Sequence, residues 1–209
     1  TLDTLINAAY EPTLTAFEQL VPELVLITEV DSNQEQRFPI QPETLLYIDL
    51  LRNWDLKASV DSEATSLAIY WAEEMRRSLR DDAAAAGSNI YDYMVERSNA
   101  SQKLRALRTA AEKLTADFGS WQVPWGEINR YQRNNGNIVQ QFDDSKPSIA
   151  VGFASSRWGS LASFGARTYP GTKRMYGTSG NSFVAAVEFG DRVRAKAITV
   201  GGLNSDPDS

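Results

Sequence analysis

The chain has 209 residues, 42% hydrophobic and 23% charged, with a net charge of −6, a globular composition sized for one ordinary domain or two small ones. It contains no cysteine and no histidine, which excludes thiol nucleophiles, disulfides, zinc–thiolate sites, imidazole metal ligands and any Ser-His-Asp or Cys-His site built within the chain. No run of about 18 apolar residues is present, no signal sequence opens at Thr1, and the absence of clustered Lys and Arg argues against a nucleic-acid partner.

Thr1 to about Val30 reads as helix in one or two pieces. Leu2, Leu5, Ile6 and Ala9 share one face, and Leu14, Phe17, Leu20, Val21 and Leu24 continue the period. Pro22 lies inside that pattern and is expected to kink it or start a new helix. Asp31 to Gln41 reads as a polar loop, and Pro42 opens a helix carrying Leu45, Leu46, Ile48, Leu50 and Leu51.

The clearest helix follows. Val60, Ala64, Leu67, Ala68, Trp71, Met75 and Leu79 form one apolar stripe, with Asp61 or Ser62 as its cap. Glu73 and Glu74 beside Arg76, Arg77 and Arg80 could be a carboxylate site, but a solvated face of ion pairs is the ordinary reading. Ala83 to Ala86 is a helix tail closed by Gly87, and Asn89 to Val95 a short helix or ordered loop. Asn99 with Gln102 three residues on forms a capping box for a helix bearing Leu104, Leu107, Ala111, Leu114 and Phe118 and ending at Gly119.

Beyond Gly119 the composition turns to Gly, Ser, Asn and aromatics. Trp121, Trp125 and Tyr131 beside Arg130 and Arg133 could suggest base stacking, but aromatics next to Pro124 and Gly126 more often wedge a loop onto a core. Asn134 to Asn137 is a turn, Ile138 to Phe142 and Ser148 to Phe153 are short strands, and Arg157 to Thr172 is a loop over the sheet or a binding loop. Gly177 to Asn181 lacks the Lys-Ser/Thr ending and the following helix of a phosphate loop.

Phe183 to Val200 is a hairpin whose register follows from its side chains. A two-residue loop at Gly190 and Asp191 would set Phe189 against Arg192 and Val187 against Arg194. A three-residue loop, Gly190 to Arg192, instead sets Phe189 against Val193, Val187 against Ala195, Phe183 against Thr199 and, on the other face, Glu188 against Arg194. A one-residue slip exchanges the faces, so the pattern selects the longer loop, with a bulge. One face is then wholly apolar and requires a cover, expected from the helices before Gly119 and from strands outside the chain. The whole reads as α+β, with a helical region over 1–119 and an antiparallel β-rich region over 120–209 in one domain.

The run GNSFVAAVEFGDRVRAKAITVGG, Gly180 to Gly202, resembles the C-terminal part of the β subunit in the penicillin acylase family, which includes penicillin amidases and acyl-homoserine-lactone acylases. That family continues through GGQSG-x-P-x-S. Here Gly201, Gly202, Pro207 and Ser209 match, while Leu203, Asn204 and Ser205 depart. Trp54-Asp55, Asp61-Ser62 and Trp71 resemble the family's WD…S…W segment. Phe118-Gly119 and Trp125-Gly126-Glu127 resemble its FG…WG passage, and Ala8-Ala9-Tyr10, Phe17 and Pro22 its entry.

The resemblance implies an N-terminal-nucleophile hydrolase of αββα fold, periplasmic or secreted, working with an α subunit and the N-terminal part of the β subunit on a small N-acyl substrate. In that family a Ser freed by precursor cleavage attacks the amide, and its own α-amine serves as base, so no histidine is needed. The oxyanion-hole Asn and a supporting Arg complete the site. All three precede the region matching this chain, so the expected catalytic, cofactor-binding and metal-binding sets here are empty: no cofactor and no metal. Thr1 is the tempting alternative nucleophile. It is rejected because Thr1 to Leu5 reads as the first turn of a helix, whereas the family nucleophile opens a strand. The remaining alternative is a stand-alone binding module whose surface is an exposed aromatic loop of Trp121, Trp125, Tyr131 and Trp158.

Overall fold

Helix starts and stops are written locally in the first half, and the chain obeys them. The computed structural model describes residues 1–31, 40–133, 139 and 141–199; most of the polar loop after Asp31, the Asn134–Asn137 turn, Ile138, and the motif from Gly201 to Ser209 lie outside the described residues. The helices are α1 (Leu2–Ala8), α2 (Phe17–Asp31), α3 (Pro42–Arg52), α4 (Glu63–Ser78), α5 (Arg80–Ala85), α6 (Ile90–Asp92), α7 (Ala100–Phe118) and α8 (Trp125–Ile128). Pro42 occupies the first turn of α3, and Ser62 caps α4 by accepting from the Thr65 amide. Asn99 and Gln102 form the reciprocal capping box of α7, which ends at Gly119 in the left-handed region.

α4 and α7 pack along their lengths, and the Trp71 indole on α4 donates to the Lys103 carbonyl on α7 at 3.1 Å. Leu14, Phe17, Leu20, Val21 and Leu24 join them in one core with Ile48 and Leu51 of α3. Sharing a helix face does not by itself bury a residue here. Of the α1 stripe only Ile6 is buried, while Leu5 is exposed. On α3, Leu45 and Leu46 face out, because the helix is too lightly packed to bury more than one side. Helix α2 runs through Pro22 without restarting; so near the N-terminus of the helix, the missing N–H forfeits only one intrahelical bond.

After α6 the chain makes a π-turn, Tyr93–Arg97. Here the buried Lys103 ammonium donates to the Val95 carbonyl at 3.1 Å and reaches Glu23 at 3.5 Å, tying α7, the π-turn and α2 together.

The second half forms two small sheets. Strands β1 (Asn129–Tyr131), β2 (Ile149–Ala150), β3 (Phe164–Arg167) and β4 (Met175–Gly180) make one sheet in the order β2-β1-β4-β3. β1 runs parallel to β4 and the other pairs are antiparallel, so the region is not purely antiparallel as expected. Strand β4 absorbs Gly177 to Gly180. Gln141 and Phe142 are not in a strand, and only Ile149 and Ala150 of the Ser148–Phe153 stretch pair. Val123, Trp125, Ile128, Ala154 and Trp158 enter the same core as the helices.

Strands β5 (Phe183–Glu188) and β6 (Arg194–Thr199) form a separate two-stranded ribbon. Its register matches the three-residue-loop pattern: Phe183 pairs Thr199, Val187 pairs Ala195 and Glu188 pairs Arg194. Pairing stops at Glu188 and Arg194, so Phe189 and Val193 join the turn. Helix α1 covers this ribbon on the mixed face, where Ala186 is buried and Lys196 pairs with Asp3. The expectation that helices close the wholly apolar face is therefore corrected: α1 takes the opposite face, over Ala186, with Asp3 beside Lys196 at its edge.

Candidate functional site

The densest polar construction lies where α8 and β1 meet the helices. The Trp125 amide donates to the Ser62 carbonyl at 3.1 Å, and the Gly126 amide to the Val60 carbonyl at 2.8 Å. A methyl at Gly126 would stand 2.9 Å from Val60 Cβ and 3.0 Å from Ala150 Cβ, so only glycine permits this approach. Next, the fully buried Asn129 donates through Nδ2 to the carbonyls of Val151 (2.7 Å) and Phe153 (2.9 Å). Arg130 spends its guanidinium on the Gly126 carbonyl (2.7 Å), the Ser148 carbonyl (2.6 Å) and the Ser148 hydroxyl (2.9 Å). Gln132 donates to the Asp143 carbonyl at 2.8 Å and accepts from the Asp143 amide at 3.0 Å. These three side chains stitch the 143–153 segment to β1. They hold backbone and leave no donor fork turned toward a ligand, so Arg130 is not part of a base-stacking surface.

A second clasp borders the first. The Tyr176 hydroxyl donates to Asp144 Oδ1 at 2.9 Å, and Arg174 donates to the Asp144 carbonyl (3.1 Å) and to Glu127 (3.2 Å). The Tyr176 ring is buried and stacks on Phe142 at 5.0 Å. Burial first, then the hydrogen bond and charge of Asp144, push its phenol up to about 12.

The acidic-basic cluster on α4 is a set of ion pairs. Glu73 bridges Arg76 at 3.0 Å and Arg157 at 2.7 Å, and Glu74 takes Arg77 at 2.7 Å. Both carboxylates are occupied by guanidinium groups, and neither is aimed at a nucleophile.

A groove of about 350 Å³ runs between α3 and α7, lined among others by Glu43, Thr44, Tyr47, Arg108 and Glu112. Burial, a hydrogen bond to Glu43 and the charges of Glu43 and Glu112 raise the Tyr47 phenol well above its ordinary value. The groove carries hydroxyls, carboxylates and the Arg108 guanidinium.

Thr1 occupies the N-cap of α1. Its hydroxyl accepts from the Thr4 amide at 3.2 Å and shares a 2.8 Å hydrogen bond with the Thr4 hydroxyl. It is an exposed helix cap, as its sequence context implies. The aromatic loop does not form a surface either. Trp125 and Trp158 are buried in the core, Trp158 against Phe17 at 5.8 Å, and Trp121 is half-buried edge-on to Tyr47 at 4.8 Å. Only Tyr131 is exposed. Large rings close to Pro and Gly had more apolar area to lose than the loop could leave in water.

The model of the penicillin amidase family matches residues 1–209, the whole chain. The chain belongs to the penicillin amidase family. Members of this family are N-terminal-nucleophile amidohydrolases. No match to the chain was found among curated proteins.

The penicillin-amidase-like motifs converge on this helix–sheet junction. The Trp54 indole donates to the Lys57 carbonyl at 3.0 Å, Asp55 accepts from the Lys57 amide at 3.0 Å, and the Trp54 ring meets Phe17 edge-on at 5.4 Å. Asp55 and Trp54 thus shape the turn that leads to the Ser62 cap, and that segment receives Trp125 and Gly126. Asn129, Arg130 and Gln132 do not stand out as a unit in the sequence. Their only signal is polar residues directly after a Pro-Trp-Gly wedge, where loop backbone needs partners.

Proposed function

We propose that this chain is the C-terminal part of the β subunit of a penicillin-amidase-family hydrolase, and that it serves there as a non-catalytic scaffold. The parent enzyme cleaves the amide of an N-acylated small molecule, such as a β-lactam side chain, an acyl-homoserine lactone or a lipopeptide. An N-terminal Ser, supplied from outside these residues together with the oxyanion-hole Asn and a supporting Arg, attacks the carbonyl carbon. Its α-amine takes the hydroxyl proton and returns it to the leaving amine, and water then hydrolyses the acyl-enzyme. The partners are the α subunit and the remainder of the β subunit, in a periplasmic or secreted enzyme.

The observation that carries this reading is the family match over the whole chain joined to the use of its polar side chains. Asn129, Arg130, Gln132 and Arg174 are spent on the chain's own backbone, and Thr1 is a helix cap. Assay of the purified 209-residue chain with a chromogenic N-acyl amide tests the scaffold role. No turnover above the uncatalysed rate is expected, and sustained turnover would overturn it.

A further inference from the structure

The groove between α3 and α7 holds three charged side chains, Glu43, Arg108 and Glu112. Among the described residues none of the three forms an ion pair, although other charges on the same helices do: Arg52 takes Asp49 on α3, and Lys113 takes Asp117 on α7. Arg108 precedes Glu112 by one turn, the less favourable order for such a pair. Two buried hydroxyls line the same groove. Thr44 is 1% exposed and its Oγ1 has no hydrogen-bond partner, whereas buried side-chain hydroxyls are nearly always paired. Tyr47 is buried and held edge-on by Trp121 at 4.8 Å. Burial first, then a hydrogen bond to Glu43 and the charges of Glu43 and Glu112, raise its phenol. Carboxylates from two facing helices therefore bear on one point of the groove.

We infer that this groove binds a small zwitterion of the α-amino acid class, its ammonium held between Glu43 and Glu112 over the Thr44 hydroxyl and its carboxylate set against Arg108. The site does not depend on the scaffold role proposed above. An ammonium brings three donors and no acceptor. It can donate to both carboxylates and to Thr44 Oγ1, which supplies the partner that this hydroxyl lacks. Arg108 and Glu112 stand one helical turn apart, about 5–6 Å between β-carbons, so the two ends of one amino acid head group can reach them together. The guanidinium fork suits a carboxylate. The same residues select against other occupants. A calcium ion takes about 6–8 oxygen ligands, and here it would meet two carboxylates and the repulsion of Arg108. A phosphate would meet those two carboxylates as like charges. The volume of about 350 Å³ is that of a small-molecule site rather than a docking surface for a folded partner.

The test titrates the full 209-residue chain with L-leucine, followed by nuclear magnetic resonance, with leucinamide as the analogue that lacks the carboxylate. Saturable binding of leucine is expected with a dissociation constant on the order of 1 mM. Glu112→Gln and Glu43→Gln each weaken it about tenfold. Thr44→Val also weakens it, about fivefold, while keeping the wild-type melting temperature, since the hydroxyl it removes has no partner in the unliganded chain. Arg108→Gln weakens leucine about tenfold and leaves leucinamide unchanged. Arg105→Gln, exposed on α7 outside the groove, binds both as wild type does. No saturation by leucine up to about 50 mM overturns the inference. So does binding that Glu112→Gln and Thr44→Val leave intact, because leucine would then sit elsewhere. Equal losses of leucine and leucinamide in Arg108→Gln overturn the zwitterion assignment. Displacement of leucine by an equimolar amount of calcium would make the groove a metal site instead. None of these results bears on the assay for amidase turnover that tests the scaffold role.

Discussion

Replacing Gly159 with alanine isolates two costs that can be separated by a second glycine. Gly159 follows the 3₁₀ turn Ser156–Trp158 with φ of 98°, and the Trp158 carbonyl accepts from the Ala16 amide. A β-carbon there would stand 2.2 Å from Thr15 Oγ1 and 2.6 Å from the Thr15 amide nitrogen. The left-handed backbone costs a non-glycine residue about 1–2 kcal/mol. The clash with Thr15, partly backbone and so hard to relieve, adds about 1–3 kcal/mol. The sum, about 2–5 kcal/mol, corresponds to a fall in melting temperature of roughly 5–15 °C for a chain of this size. Gly87 has φ of 60°, and a β-carbon there would meet nothing within 4 Å, so Gly87→Ala carries only the backbone cost, roughly 2–6 °C. Thermal unfolding of both variants followed by circular dichroism measures the difference. If Gly159→Ala melts within about 2 °C of Gly87→Ala, the close approach of the 3₁₀ turn to Thr15 is wrong.

Asn129→Ala leaves the Val151 and Phe153 carbonyls without their donor and is expected to cost about 2–4 kcal/mol in urea unfolding, with no change in m-value. Asn99→Ala removes the α7 capping box and costs about 1 kcal/mol in the same experiment. The phenols of Tyr47, Tyr70 and Tyr176 are all raised above the ordinary value of 10.0, chiefly by burial. A group whose folded value is raised stabilises fully below its unfolded value and loses that contribution as pH climbs toward the folded one. Stability is therefore expected to fall from pH 10 upward, with Tyr176 contributing up to about 12. Tyr176→Phe should flatten part of that fall and cost stability at neutral pH through the lost hydrogen bond to Asp144, read in urea melts across pH.

The sequence was most legible where a single side chain decides a local event. Ser62, Asn99 with Gln102, and Pro42 each satisfy or spare an orphan amide at a helix start, and each stands where its type demands. The ribbon's register was legible because a period of two leaves only one pairing that keeps charges off the apolar face. Which face the chain covers was not, since the covering helix α1 comes from the far end of the sequence. Strand β4 hid in Gly-Thr-Ser-Gly, residues of poor strand propensity held by their neighbours: the Phe164 ring lies over Gly177, where a β-carbon would come within 2.5 Å of it. The junction site was equally hidden. Asn129 and Arg130 look like loop polars in one dimension, and only the fold brings Ser148, Val151 and Phe153 to them.

The scaffold claim is tested most directly on the natural gene product. The intact enzyme is incubated with an acylating reagent specific for nucleophilic hydroxyls, and the covalent label is located by peptide mass mapping. The account predicts one label on an N-terminal Ser outside residues 1–209, with every peptide of the present chain unmodified. A label on Thr1, or on any other residue of this chain, together with loss of amidase activity, would contradict it.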